Sequence, residues 1–322
     1  MLTDGLFEKV LIEPALKKKA DRLFIVSGYA TPAMAYHHIK TIRNAGAEVD
    51  VQLIIGMCAR EGIGHVHHKG FTDLMGNDLK DCFKCSYLTQ TPPAHSKLYA
   101  WYRGEEPVAG FIGSANYTQW AFTGGNRETM QECGADENRA YFESLGNETI
   151  FCNHLDVSDY VVIHHDYQGV PSKRRISFEE PGEDELAGLE KVTISLLDRT
   201  GQVAPRSGLN WGQRPEQKRD PNQAYIRVPA TIGRSDFFPL TKQHFTMLTD
   251  DNKTLVCTIA QQGRKAIHST LKNSDMGRYF RTRMGLRSGV FVTAKDLVQY
   301  GRTTVDIYKI DSETYYMDFS PQ

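Results

Sequence analysis

Four polar residues stand out in the stretch "HSKLYAWYRGEEPVAGFIGSANYTQ", residues 95–119: His95, Lys97, Ser114 and Asn116. A histidine can attack phosphorus or pass a proton. A lysine and an amide held beside it stabilise charge on the equatorial oxygens of a phosphoryl centre. Strand side chains alternate faces, so His95 and Lys97 share one face of "HSKLYAW", and Ser114 and Asn116 share one face of "FIGSAN". A short turn around "GEEP" (104–107) predicts that the two strands form a hairpin or lie close together. The four groups would then converge at one end of a sheet. Downstream, "GGNRETM" supplies a carboxylate, Glu128. A lone His-x-Lys equally describes surface residues on an edge strand. The His-x-Lys, Gly-Ser-x-Asn and Glu combination is more specific.

Other clusters carry less. "HVHHKGF" (65–71) holds a second His-x-Lys, but nothing like Gly-Ser-x-Asn follows, and the context reads as a helix start. "CFKC" (82–85) is a single pair of thiols with no second pair at zinc spacing. "HHD" (164–166) reads as a solvated strand end. No metal and no cofactor is expected.

The site needs a scaffold. "RLFIVSGYA" (22–30) and "VDVQLIIGM" (49–57) are buried-looking strands, separated by "TPAMAYHHIKTIRNAGA" (31–47) with helical spacing, Thr31 as N-cap and Gly46 as stop. This is a βαβ unit, which implies a parallel or mixed sheet. "CFKCSYLTQ", "HSKLYAWY" and "VAGFIGSAN" add strands, and 135–151 predicts a closing helix. Residues 173–190 begin basic, turn acidic and read as a linker. Beyond it, "KVTISLLD", "AYIRVP", "HFTMLTD", "TLVCTIA", "KAIHST", "GVFVTA" and "VDIYKI" are short strand signals with two helix candidates, near 231–238 and 274–284. They predict an all-β barrel or sandwich.

Charge follows this division. The net charge of −1 conceals 20 Lys+Arg against 12 Asp+Glu over 191–322, and 18 against 27 over 1–190. A basic half points to a polyanionic partner. Its excess lies in 199–234 and 264–287. The first holds Arg206, Asn210, Trp211, Gln213, Arg214 and Arg219 in a long polar excursion; the second holds Gln262, Arg264 and Lys265 around the turn "QQGRK", then Arg278 and Arg281. Arginine pairs bidentately with guanine edges, and Asn or Gln with adenine. Two such arms on a β domain could embrace a major groove. The plainer reading is a basic, solvated surface.

His95-Ser-Lys97 followed by Gly113-Ser114-Ala-Asn116 and Glu128 resembles the signature of the phospholipase D superfamily, specifically its nuclease branch. The resemblance implies that His95 forms a phosphohistidine, that Lys97, Ser114 and Asn116 hold the phosphate, that Glu128 orients the imidazole, and that no metal is needed. One departure is Tyr102, where the superfamily motif carries an Asp. A single motif implies a homodimer that builds one pocket across its two-fold axis. The pairing with a basic β half is similar to a small group of restriction endonucleases, the NgoFVII-like type II family. Their second domain is a DNA-binding pseudobarrel, shared with plant auxin-response factors. "SGLNWGQR", "FFPLT" and "YGRTTVDIYKIDSETYYMDFS" carry that likeness.

The expectation is therefore a phospholipase D-like α/β nuclease and dimerisation domain over 1–172, a linker over 173–190, and a pseudobarrel DNA-recognition domain over 191–322. The function expected is sequence-specific, metal-independent cleavage of double-stranded DNA. An ATP-driven translocase subunit is carried as a further partner. A low-specificity phosphodiesterase and a DNA-binding regulator with a silent nuclease domain stay open. No apolar run approaches a membrane span, and the N-terminus lacks a signal-peptide pattern. Six scattered cysteines read as reduced thiols, which suits the cytoplasm.

Overall fold

The structure, a computed structural model, describes residues 1–164, 186, 188–270 and 272–322. It divides into two units, Met1–Asp166 and Tyr167–Gln322. Most of the expected linker, and the last two residues of "HHD", lie outside the described residues.

The first unit contains β1 Arg22–Ser27, β2 Asp50–Ile55, β3 Ile63–Gly64, β4 Phe83–Leu88, β5 Lys97–Arg103, β6 Glu106–Gly113, β7 Met130–Cys133, β8 Thr149–Phe151 and β9 Ile163–His164. Seven of them form one sheet in the order β7-β6-β5-β1-β2-β4-β8. β1, β2 and β4 run parallel; β5, β6 and β7 follow antiparallel on one side, and β8 closes the other. β1 is apolar along its length because both of its faces are covered. The helix Pro32–Asn44 lies between β1 and β2; the Thr31 side chain accepts from Met34 N at 3.3 Å, capping it as expected. His38 on this helix is fully buried, bonded to Tyr117 Oη at 2.8 Å and Leu11 O at 2.9 Å. Burial pushes its pKa down to about 3. Its ring meets Trp101 of β5 edge-on. On the opposite face, the helix Ala135–Ser144 presses Phe142 onto Phe24, Ala100 and Tyr102.

The closing helix ends earlier than expected. It stops at Ser144, a short turn follows, and Thr149–Phe151 pairs with β4 as an edge strand. The short strand β7 and the helical turns at 7–18 carry no clear periodicity and were not expected.

The second unit contains β10 Glu190–Ser195, β11 Ile226–Arg227, β12 His244–Thr249, β13 Thr254–Ala260, β14 Ala266–Ser269, β15 Thr304–Lys309 and β16 Thr314–Asp318. The sheet order is β10-β15-β16-β12-β13-β14-β11. Only β12 and β16 pair in parallel. The end strands β10 and β11 approach each other, so the sheet curls almost into a barrel. Its interior holds Ile194, Phe245, Met247, Ile267, Ile307 and Tyr315. The helix Asp275–Arg283 adds Met276, Tyr279 and Phe280 to that core. "GVFVTA" is not a strand: Val292 lies in irregular chain and its backbone is bonded by the Asn210 side chain. The residues after it form a helix, Ala294–Tyr300, opened by a capping box between Thr293 and Asp296. No helix among the described residues is long and apolar enough to cross a membrane.

Candidate functional site

Parallel strands β1 and β2 end at Ser27 and Ile55, and each is followed by a glycine. The crevice beyond the carboxyl ends of parallel strands is where ligands gather in such sheets. Both glycines are needed there. A Cβ on Gly56 would fall 2.0 Å from Ala94 O, so only glycine lets the segment before β5 cross the end of β2. A Cβ on Gly28 would fall 2.7 Å from His95 Cδ2 and 3.4 Å from Asn116 Oδ1. His95 and Asn116 thus flank one bare stretch of backbone. The convergence at one sheet end agrees with the sequence reading, through the β5–β6 hairpin that closes at Arg103 and Glu106.

The details differ from simple strand alternation. His95 precedes β5 and is exposed, whereas Lys97 is the first strand residue, opposite Ser27 of β1. Lys97 is 7% exposed, and its Nζ donates to His95 O at 2.7 Å. Burial lowers its pKa, while the Glu128 carboxylate acts in the opposite sense. Asn116 sits past the end of β6. Its Oδ1 accepts from Tyr29 N at 3.2 Å and Ser27 Oγ at 3.4 Å. With the oxygen tied down, Nδ2 is the amide's outward donor.

Ser114 and Glu128 form a pair. The Ser114 hydroxyl donates to Glu128 Oε2 and accepts from Thr129 N at 3.0 Å; Asn126 Nδ2 donates to Glu128 Oε1 at 3.2 Å. The single hydroxyl proton of Ser114 is therefore used on the carboxylate, not turned toward an anion. Among the described residues no hydrogen bond joins Glu128 to His95. Tyr102, at the departure from the superfamily motif, lies at the far end of β5, five residues or roughly 17 Å from Lys97. Its hydroxyl donates to Asp136 Oδ1 at 2.7 Å, and Arg139 stacks on its ring at 4.8 Å. It belongs to the scaffold.

Two residues that sequence reasoning passed over border His95. The Tyr29 ring meets the His95 ring edge-on, centroids 5.8 Å apart, and its hydroxyl donates to Glu61 Oε2 at 2.7 Å. The sole sequence signal was a Ser-Gly pair after a buried strand, which is common in βαβ units. Of the rejected clusters, "HVHHKGF" opens the helix His65–Asp73, with Lys69 paired to Asp73. Cys85 is buried in β4, and Cys82 precedes that strand.

In the second unit, the basic residues divide by what they already hold. Asn210 is fully buried; its amide donates to Val292 O and accepts from Val292 N, both at 2.8 Å. Arg281 is 1% exposed and bonded to the carbonyls of Val290, Gly277, Leu209 and Pro221. Arg264 clamps the carbonyls of Ser235, Phe238 and Pro239. Gln213 donates to Pro221 O and Gly289 O. These four knit loops together, and Asn210 and Arg281 are buried where they do so. Arg206, Gln262, Lys265 and Arg278 are exposed. Arg206 is paired to Glu216 at 3.3 Å, and Arg278 to Asp220 at 3.3 Å. Arg214 is half-buried and donates to Arg206 O; Arg219 lies 4.4 Å over the Trp211 ring, which packs on Tyr225 and His268.

The second basic cluster is not one arm. β11 and β14 pair antiparallel, Arg227 with Ala266. The turn bearing Gln262, Arg264 and Lys265 therefore lies at one end of β14, while Lys272 and Arg278 lie beyond its other end, beside the 206–223 excursion. The two ends are separated by a four-residue strand, roughly 13 Å, about the width of a major groove.

Comparison with known proteins gives the family. Three solved structures are similar to the chain: NucT from Helicobacter pylori (16% identity, 46% of this chain and 89% of that one, TM-score 0.31), Nuc from Salmonella typhimurium, a phospholipase D family member (14%, 45% and 85%, 0.32), and polyphosphate kinase from Porphyromonas gingivalis (13%, 47% and 23%, 0.28). No curated protein matches. Residues 4–159 match the NgoFVII restriction endonuclease N-terminal phospholipase D domain, and residues 184–311 match the NgoFVII C-terminal B3-like DNA-binding domain. With both halves matched in the same order, the chain belongs to the NgoFVII restriction endonuclease family.

Proposed function

We propose that this sequence-specific DNA endonuclease cuts without a metal ion, through a phosphohistidine on His95, as a homodimer joined by its first domain. The observation that carries the reading is the approach of His95 and Asn116 to the bare backbone at Gly28, with Lys97 bonded to the His95 carbonyl and paired with Ser27 beside it. In the first step a nitrogen of His95 bonds to phosphorus and the bond to the leaving strand's oxygen breaks. His95 of the partner subunit protonates that oxygen. Water then attacks phosphorus, the P–N bond breaks, and the water's proton passes to the partner's His95, which is now basic. Lys97 Nζ and Asn116 Nδ2 are the donors for the phosphoryl oxygens. The Glu128 carboxylate, held by Ser114 and Asn126, acts in this reading on Lys97.

In the second domain, Arg206, Arg214, Arg219, Gln262, Lys265 and Arg278 are the candidates for meeting DNA, from the two ends of β14. Trp211 supports Arg219 from beneath. A cytoplasmic location is supported by the DNA substrate and by free cysteines throughout the described residues. An ATP-driven translocase remains a proposed further partner. The test is plasmid cleavage in excess EDTA by the wild type and by His95→Ala. Cleavage by the wild type alone is expected; loss of wild-type activity in EDTA, restored by magnesium, refutes the metal-independent mechanism.

A further inference from the structure

His95 is exposed and precedes its strand, so regular strand geometry does not fix its ring. Something else must hold it within the narrow tolerance that in-line attack requires. Within one chain Glu128 is engaged with Ser114 and Asn126. The group packed on the imidazole is Tyr29. Three parts of Tyr29 are tied to the site. Its backbone N–H donates to Asn116 Oδ1, its ring edges the His95 ring, and its hydroxyl donates to Glu61 Oε2.

Glu61 is itself anchored. Arg60 Nη2 lies 3.0 Å from Glu61 Oε1, and the backbone carbonyl of Glu61 is 2.7 Å from His164 Nε2. We infer that Tyr29 and Glu61 are positioning residues for His95, the ring of Tyr29 walling the imidazole and the Glu61 carboxylate locking that ring through its hydroxyl. The inference rests on the reading of His95 as nucleophile. The electrostatics agree. The Tyr29 hydroxyl is pushed up to about 12, by burial first and then by Glu61, so it stays a donor. The Tyr29 bond first, and then Arg60, hold the Glu61 carboxyl below the usual range against its partial burial. Glu61 is therefore an anion beside the nucleophile at neutral pH. The other charged groups around His95 are Lys97 on its carbonyl, Arg60 on the far side of Glu61, and Glu128 next to Lys97.

The test uses the full chain and single-turnover cleavage of a plasmid carrying a mapped site, with DNA affinity measured separately. Glu61→Gln keeps an acceptor for the Tyr29 hydroxyl but removes the charge. It is expected to cut close to the wild-type rate, whereas Glu61→Ala, which removes the acceptor, is expected to slow cleavage about threefold. Tyr29→Phe keeps the wall and loses the lock, so a loss of about threefold is expected. Tyr29→Ala loses both and is expected to fall about a hundredfold, with DNA affinity unchanged. A merely structural role would give no rescue by the conservative variant, so Glu61→Gln as slow as Glu61→Ala overturns the inference. So do losses confined to DNA affinity, which would make Tyr29 a DNA contact. Should Tyr29→Ala fail to fold, Glu61→Ala beside Glu61→Gln decides. If the wild type cuts and His95→Ala cuts equally well, the nucleophile reading has failed, and this inference with it. If His95→Ala is dead and Glu61→Ala cuts at the wild-type rate, only the positioning role has failed.

Discussion

Glu128 accepts a hydrogen bond from Ser114 and acts on Lys97, but makes no bond to His95 of its own chain. The carboxylate that follows the signature therefore acts on Lys97, the lysine proposed to hold phosphate. This has a consequence in pH. Burial lowers the Lys97 pKa and Glu128 raises it. A cation with a lowered pKa is lost as pH rises. Glu128→Gln removes the raising influence, so the alkaline limb of the cleavage profile is expected to move to lower pH. The check is the pH dependence of single-turnover cleavage for the variant beside the wild type. An unmoved alkaline limb contradicts the coupling.

The need for a second His95 as the acid for the leaving oxygen predicts a dimer. Sedimentation of the wild type at assay concentration is expected to give twice the mass of the chain. Mixing the wild type with excess His95→Ala should lower activity below that of the wild type alone, because a mixed dimer holds one His95 where the two steps need two. An active monomer would remove the need for a second His95.

Asn210 and Arg206 should behave oppositely, although four residues separate them. Asn210→Ala leaves Val292 N and O without partners in a buried place, at a cost of about 1–3 kcal/mol in urea unfolding. Arg206→Ala removes an exposed ion pair and should change stability by less than about 1 kcal/mol. If it reads a base, it should weaken specific DNA binding by about 1–3 kcal/mol at one position. Urea titrations and a binding series over base substitutions separate the two roles. Equal stability losses would contradict the placement of Asn210.

Lys265, exposed at one end of β14, is expected to grip phosphate. In the inactive His95→Ala background, Lys265→Ala should weaken all duplexes alike and reduce the salt slope by about one unit. Affinity titrations at several salt concentrations decide it. A sequence-dependent loss with an unchanged slope would make Lys265 a reader instead.

These contrasts show what the sequence holds and what it hides. His95, Lys97, Ser114, Asn116 and Glu128 lie within 34 residues, and the β5–β6 hairpin between them is a local event, so spacing was enough to place them on neighbouring strands or just beyond their ends. The βαβ unit was equally visible through its cap and apolar runs. Composition could not distinguish Arg281, which ties four carbonyls, from Arg278 three residues earlier at the surface. Both are arginines on one helix, and only the loops packed around it decide which is buried. The same holds for "GVFVTA", a strand by propensity whose backbone is bonded by Asn210 from a distant loop. Tyr29 and Glu61 escaped because 32 residues separate them and neither stands in a recognisable pattern.

The most direct measurement of the central claim is the stereochemical course at phosphorus. The wild type is given a duplex with one chiral phosphorothioate at its cut position and cleaves it in isotopically labelled water. A histidine intermediate means two in-line displacements, so the product should show retention of configuration, and the quenched reaction should yield a DNA–protein adduct on His95. Inversion with no adduct means one displacement by water, and would contradict His95 as the nucleophile.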